Sequence, residues 1–287
     1  MTLLSLLAAA LAQTAAPALV SPASSPMNDY NLNTDQAERT LVFARSEADF
    51  RNARIMVATR RSARAAWSAP QPIAFSEARW SDSDPWLTPD GRTLYFISTR
   101  PAPGREPART DYDIWRSVRT AAGWSAPEHL GPNVNSVGQE LGPELHDGRL
   151  YFASARRSGR GGLDVYSAPG SGSGFGAAAL LDGPINSAAS DSDFTISPDG
   201  RTAMFWRSGT EQGTAQIHVT YRDGTEWSEP VPLAADINHG PSNFTPHFAA
   251  DGRFIIYAST RAREGQAEGL ADIYRVALPA RRSGNTE

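Results

Sequence analysis

The chain has 287 residues, and 27 basic side chains against 31 acidic ones leave a net charge of −4. It contains no Cys and every basic residue is Arg, which excludes disulfides, thiolate nucleophiles and Cys-ligated metals, and equally Lys Schiff bases, Ser–Lys dyads and phosphate-loop lysines. The mild acidity carries no electrostatic footprint for nucleic acid or an anionic membrane surface.

Residues 1–12 are apolar over a length too short for a bilayer span but suited to a signal-peptide core, and Ala10-Leu11-Ala12 offers small residues where a signal peptidase reads. The expectation is export, giving a periplasmic or secreted protein; the alternative is a true start at Met27. No later stretch reaches 18 apolar residues, so no membrane span is expected.

From there the chain is ordered by a repeat. LTPDGRTLYFISTR (87–100), LHDGRLYFASAR (145–156), ISPDGRTAMFWR (196–207) and FAADGRFIIYASTR (248–261) are copies of one unit, with LNTDQAERTLVFAR (32–45) as a degenerate first copy. The Asp-Gly pairs at 90, 147, 199 and 251 are spaced by 57, 52 and 52 residues, the period of an array of small sheets. In each unit a short apolar run, an Asp-Gly turn and an alternating aromatic and β-branched run predict a hairpin. A third strand follows at 111–118, 163–169, 215–221 and 271–278. Trp-Ser-x-Pro marks a fourth at 66–73, 123–130 and 226–233, with Phe175 replacing Trp in the third unit.

The predicted fold is therefore all-β: a five-bladed β-propeller of four-stranded antiparallel blades. The blades fall at about 27–81, 82–139, 140–190, 191–243 and 244–278, ahead of a polar tail at 279–287. The fifth unit lacks a fourth strand, which would leave an open edge. AAPALVS (15–21) has the fourth-strand pattern, so residues 13–26 are expected to supply a strand against 271–278 and close the ring.

The phrase S/T-P-D-G-R-T-L-Y-F-x-S-x-R followed by D-I-W/Y resembles the TolB-like, WD-related propeller repeat of exported bacterial proteins, over about 27–278. That resemblance implies a periplasmic or envelope-associated interaction module; the same repeat also precedes peptidase domains and forms some lyases. TolB itself is implied to carry an extra N-terminal α/β domain and six blades, from which this chain departs.

Two columns of the repeat read as structural. Arg45, Arg100, Arg156, Arg207 and Arg261 end the second strand, and Asp113, Asp164 and Asp272 open the third, so an Arg–carboxylate pair is expected across each of those hairpins. Blades with Arg54 or Gln216 in the Asp column should lack it. Trp67, Trp124 and Trp227 read as inter-blade core.

A third column lines the channel. Period-two alternation along the first strands sends Asp29 and Asn31, then Asp82, Asp84 and Trp86, then Glu140 and Glu144, then Asp191 and Asp193, then Asn243 and His247 toward the axis. Seven carboxylates gathered there must bind something cationic or polar, share protons, or stay hydrated. The regular spacing of the outermost acids also suits a turn role, accepting N–H bonds from 133–136 and 185–187.

The reading is an exported, monomeric, non-catalytic module that binds an envelope protein or glycan through these residues. The alternative is a glycoside hydrolase using Asp84, Glu140, Glu144 or Asp193, as in arabinanase-like five-bladed enzymes, or a metal-dependent lyase or lactonase. No cofactor is expected, calcium being the ion that would accompany the lyase or lactonase.

Overall fold

The structure, a computed structural model, describes residues 16–104, 111–172, 174–209, 211 and 213–278. The expected signal peptide at 1–12 and the tail at 279–287 lie outside the described residues.

Five antiparallel sheets follow one another along the chain and form a five-bladed β-propeller. The first strands, Asn28–Thr34, Asp82–Leu87, Glu140–His146, Asp191–Ile196 and Asn243–Phe248, neighbour one another around the axis. Apart from two single 3-10 turns at Ser21–Ala23 and Ala48–Phe50, the described residues contain no helix.

In blades II to V the first hairpin forms because its turn residues tolerate a left-handed backbone; in blade I the left-handed turn residue is Glu38. Gly91, Gly200 and Gly252 sit at φ between 65° and 70°, while in blade III both Asp147 (48°) and Gly148 (70°) are left-handed, as a two-residue turn of primed type requires. Asp90, Asp199 and Asp251 each accept the N–H of the Arg two residues on, at 3.0 Å.

Trp-Ser-x-Pro does not make a continuous fourth strand. In blades II and IV it splits the edge into Gly123–Trp124 with Glu128–His129, and Glu226–Trp227 with Val231–Pro232. Proline has no N–H to give the ladder, and where the ladder is interrupted the serine hydroxyl takes the place of a backbone acceptor: Ser125, Ser228 and Ser68 accept from Val118, Tyr221 and Thr59 of the third strand at 3.0, 3.1 and 3.0 Å. The tryptophans pack against the inter-blade clusters on one face. On the other they carry an arginine: Arg60 over Trp67 at 4.1 Å, Arg119 over Trp124 at 4.8 Å and Arg222 over Trp227 at 4.7 Å.

A repeated asparagine fastens the loop between blades to the third strand. The Oδ1 of Asn135, Asn186 and Asn238 accepts from Ile114, Val165 and Ile217 at 2.7, 2.7 and 2.8 Å, and the Nδ2 of each donates back to the same residue's carbonyl at 3.0 Å.

The ring closes as the missing fourth strand demands. Ala18–Leu19 pairs antiparallel with the third strand of blade V, Ala18 opposite Arg275 and Leu19 opposite Tyr274, and Val20 donates to the Ile273 carbonyl at 2.9 Å. Ala23, fully buried, then enters the core between blades V and I with Leu41, Phe43 and Ile273.

Candidate functional site: the propeller channel

Every first strand carries a bulge at the same place, where its register shifts: between Tyr30 and Asn33, Ser83 and Trp86, Leu141 and Glu144, Ser192 and Thr195, and Phe244 and His247. One residue in each bulge is left-handed: Asn31, Asp84, Gly142, Asp193 and Thr245, with φ between 47° and 53°. An extra residue breaks period-two alternation. Positions before the bulge are therefore rotated relative to those after it, and the expected single acidic pit separates into three layers.

The outermost layer turns into the blade wall. Asp29, Asp82, Glu140, Asp191 and Asn243 are fully buried and line neither of the channel's cavities. Four of them meet the arginine that ends the second strand of their own blade: Arg45 reaches Asp29 at 2.6 Å, Arg156 reaches Glu140 at 3.3 Å, Arg207 reaches Asp191 at 2.6 Å, and Arg100 reaches Asp82. Ser136 and Ser187 add backbone N–H bonds to Glu140 and Asp191 at 3.0 and 2.7 Å. In blade V the Asn243 amide faces the Ile237 and His239 carbonyls at 3.0 and 3.1 Å. Burial pushes Asp29, Asp82 and Glu140 above the usual carboxylate range despite their arginines.

This corrects the expected arginine pairing. The arginine column binds the acid of the first strand, so blades with Arg54 or Gln216 keep their pair. Asp113 instead meets His129 at 3.1 Å and Asp272 meets Arg263 at 2.6 Å, while Asp164 accepts the N–H groups of Arg160 and Gly161. Arg261, with Asn243 in the acid's place, donates to the Ile237 carbonyl and the Tyr257 hydroxyl.

The middle layer is the ring of bulge residues, and it stitches blade to blade. Asp84 Oδ2 accepts from Gly142 N at 3.1 Å, Asp193 Oδ2 from Thr245 N at 3.1 Å, Thr245 Oγ1 from Asn31 N at 3.2 Å, and the Asn31 side chain bonds Asp84. Gly142 contributes no side chain, and a Cβ there would lie 2.6 Å from Asp193 Oδ1, so Asp193 occupies the space the glycine leaves. Burial is the main cause that pushes Asp193 up to about 8, with the neighbouring Asp84 charge next; Asp84 is itself raised by burial. Burial thus disfavours the charged form of both carboxyls, and at Asp193 the Asp84 charge adds to that penalty.

Above this ring lies a cavity of about 170 Å³ floored by Asp84 and Asp193 and walled by Tyr30, Phe50, Tyr112, Trp206 and Phe244. Ser83 Oγ lies 2.9 Å from the Tyr30 hydroxyl and 3.1 Å from Asp84, and the Trp206 side chain bonds Asp193. Phe50 is 40% exposed and meets Tyr30 and Phe244 edge-on at 5.3 and 5.6 Å. Its loop holds three left-handed residues other than glycine, Asp49, Phe50 and Asn52, a conformation that costs on the order of 1–3 kcal/mol at each position.

Below the ring, a second cavity of about 320 Å³ opens among the Asp-Gly turns, lined in part by Asn33, Trp86, Glu144 and His247. Glu144 Oε1 accepts from Thr195 Oγ1 and Ile196 N at 3.1 and 2.9 Å, and Oε2 lies 3.3 Å from His247 Nδ1. Asn33 accepts from Leu87 N at 2.9 Å and meets His247 Nε2 at 2.5 Å. The channel thus brings Asp84 to Asp193 and Glu144 to His247, in separate cavities, and sets Trp86 beside the second pair.

Sequence reasoning missed the aromatic wall. Tyr30 and Phe244 share the column just before the left-handed bulge residue, but Ser83, Leu141 and Ser192 fill it in the other blades, and Phe50, Tyr112 and Trp206 come from other segments, so no shared spacing joins the five. Among the described residues no group of three or more His, Asp or Glu side chains could hold a metal ion, and no helix is long and apolar enough to cross a membrane.

The fold is a five-bladed β-propeller like those of TolB structures. The chain is similar in fold to TolB from Acinetobacter baumannii (TM-score 0.50, 14% identity), covering 90% of this chain but 56% of that one, and so spans little more than half that protein's length. A putative TolB from Agrobacterium tumefaciens aligns with TM-score 0.51 at 14% identity, over 88% and 81% of the two chains. An α-L-arabinofuranosidase from Lactobacillus brevis aligns with TM-score 0.55 at 12% identity, over 91% and 92%. No protein-family model matches the chain, and no curated protein matches it in sequence.

Proposed function

We propose that this chain is an exported, non-catalytic binding module that receives part of an envelope partner at the aromatic-walled mouth of its channel. The observation that carries the reading is the commitment of the channel acids. Asp84 and Asp193 floor the cavity, yet both hold seams between blades and both are raised by the same burial. Glycoside hydrolysis assigns its two carboxyls to unlike environments, one kept protonated and one ionised. The remaining expected catalytic residues, Glu140 and Glu144, lie in the blade wall and in the other cavity. The apolar leader at 1–12 supports export.

The test places a photo-crosslinking residue at Val137, which is 68% exposed in the loop leading into the first strand of blade III, and a control at Val231 on an outer edge. Illumination with envelope extract is expected to trap an adduct from position 137 and none from 231. In parallel, arabinan, arabinoxylan and peptidoglycan are expected to remain intact. Release of sugar that Asp84→Asn abolishes would overturn the reading in favour of a hydrolase.

A further inference from the structure

The aromatic-walled cavity has a chemistry more specific than a generic mouth. Its floor is two carboxyls, its wall is five aromatic rings, and no Arg or His is among the described residues that line it. Each carboxyl already accepts about three bonds: Asp84 from Gly142, Ser83 and Asn31, and Asp193 from Thr245, Trp206 and Ser192. A carboxylate offers about four lone-pair sites, so each acid keeps acceptor capacity for a further donor. The wall presents π faces and edges to whatever enters, and π faces attract cations. At about 170 Å³ the space is below the roughly 300–1,000 Å³ of pockets for drug-sized ligands, which suits one inserted side chain better than a run of sugars.

We infer, building on the binding-module reading, that the cavity is a socket for an arginine side chain of the partner, its guanidinium bonded to Asp84 and Asp193 and its stem held among Tyr30, Phe50 and Phe244. Arginine fits better than lysine because its planar, weakly hydrated head stacks on rings and bonds carboxylates in a fork. The protein repeats this stacking on its own outer edge, with Arg60 on Trp67 and Arg275 on Phe254 at 4.1 and 3.8 Å. Phe50, projected over the mouth by its left-handed loop, is the wall residue an entering side chain meets first.

The inference carries a proton signature. The titratable groups facing Asp193 are Asp84 and, across the cavity, the Tyr30 and Tyr112 phenols; both phenols are raised above their ordinary value and stay neutral through the range considered. A bound guanidinium favours the ionised pair, so binding should expel a proton wherever the free pair still holds one.

The experiment titrates the full chain with N-acetylarginine amide and with N-acetylcitrulline amide, its neutral isostere, by calorimetry at pH 6, 7 and 8.5 in buffers of different ionisation enthalpy. The arginine probe is expected to bind at least tenfold more tightly than the citrulline probe. Its affinity should rise about tenfold per pH unit between 6 and 8, with one proton released, and level off above. Asp193→Asn should remove the pH dependence and Phe50→Ala should weaken binding several-fold; the wild-type proton release stands as a readout even if either variant fails to fold. Equal binding of both probes, or no proton release, overturns the inference. No binding of the arginine probe alongside an adduct at Val137 overturns it while leaving the binding-module reading intact, whereas arginine binding with no adduct overturns the binding-module reading and, with it, the assignment of the guanidinium to a partner.

Discussion

Asp193 shows how a single position can tie stability to pH. Its folded pKa, near 8, lies far above the 3.8 of an unperturbed aspartate, so between those values the folded chain keeps a proton that the unfolded chain has lost. The stability this contributes is fully present below about pH 4 and is lost as pH rises through 8. The melting temperature of the wild type should therefore fall from pH 5 to pH 8.5 more steeply than that of Asp193→Asn, which thermal scans of the two proteins will show. Gly142 is its counterpart. Gly142→Ala forces a Cβ onto a left-handed residue and against Asp193 at 2.6 Å, and the left-handed conformation alone costs about 1–2 kcal/mol. A melting point several degrees below wild type is expected. A variant as stable as wild type would mean that the bulge relaxes without loss.

At this scale the sequence was only partly legible. The column Asn31, Asp84, Gly142, Asp193, Thr245 is visible as a series, and Asn, Asp and Gly are the residues that tolerate a left-handed backbone. Read as plain alternation, it places Asp29 and Asp82 on the axis; read as a bulge, it turns them into the wall to meet Arg45 and Arg100. The turn role weighed for Glu140 and Asp191 corresponds to the bonds they make with Ser136 and Ser187.

Among the strands and loops, the asparagine clamps are the devices whose removal should be felt most. Each holds a buried N–H and C=O of the third strand that water cannot reach, and an unsatisfied buried group costs about 1–3 kcal/mol. Asn135→Ala and Asn186→Ala are each expected to lower the urea midpoint, and because they serve different blades their effects should add in the double variant. Ser125→Ala and Ser228→Ala at the half-exposed outer edge should cost less, about 1 kcal/mol each. The strands themselves were readable because Asp-Gly turns, alternation and Trp-Ser-x-Pro are local signals. The interruption of the fourth strand was not, since it depends on a serine hydroxyl replacing a ladder bond with a neighbouring strand.

For the whole molecule, the legible quantity was the repeat. Five copies in register require five equivalent sheets, and the shortfall in the last copy leaves one edge for the start of the chain to cover. The channel was legible as a place but not as a shape, because its walls draw on Tyr30, Phe50, Tyr112, Trp206 and Phe244 from four blades and three kinds of segment. Deleting residues 1–24 should expose the Asp272–Ala277 strand as an open edge, lower the urea midpoint and promote self-association. Equilibrium unfolding with sizing chromatography tests this, and an unchanged monomer of unchanged midpoint would deny the closing strand its role.

That strand also sets an order of events during synthesis. Ala18 and Leu19 are made before any of the blades, yet their partners Arg275 and Tyr274 come 257 and 255 positions later, so they wait through the assembly of four blades. Contacts between such remote segments form slowly because a long loop must be gathered first. Until the final blade emerges the nascent ring has two raw seams, and the joining of its first segment to its last is the step that turns a row of sheets into a closed body.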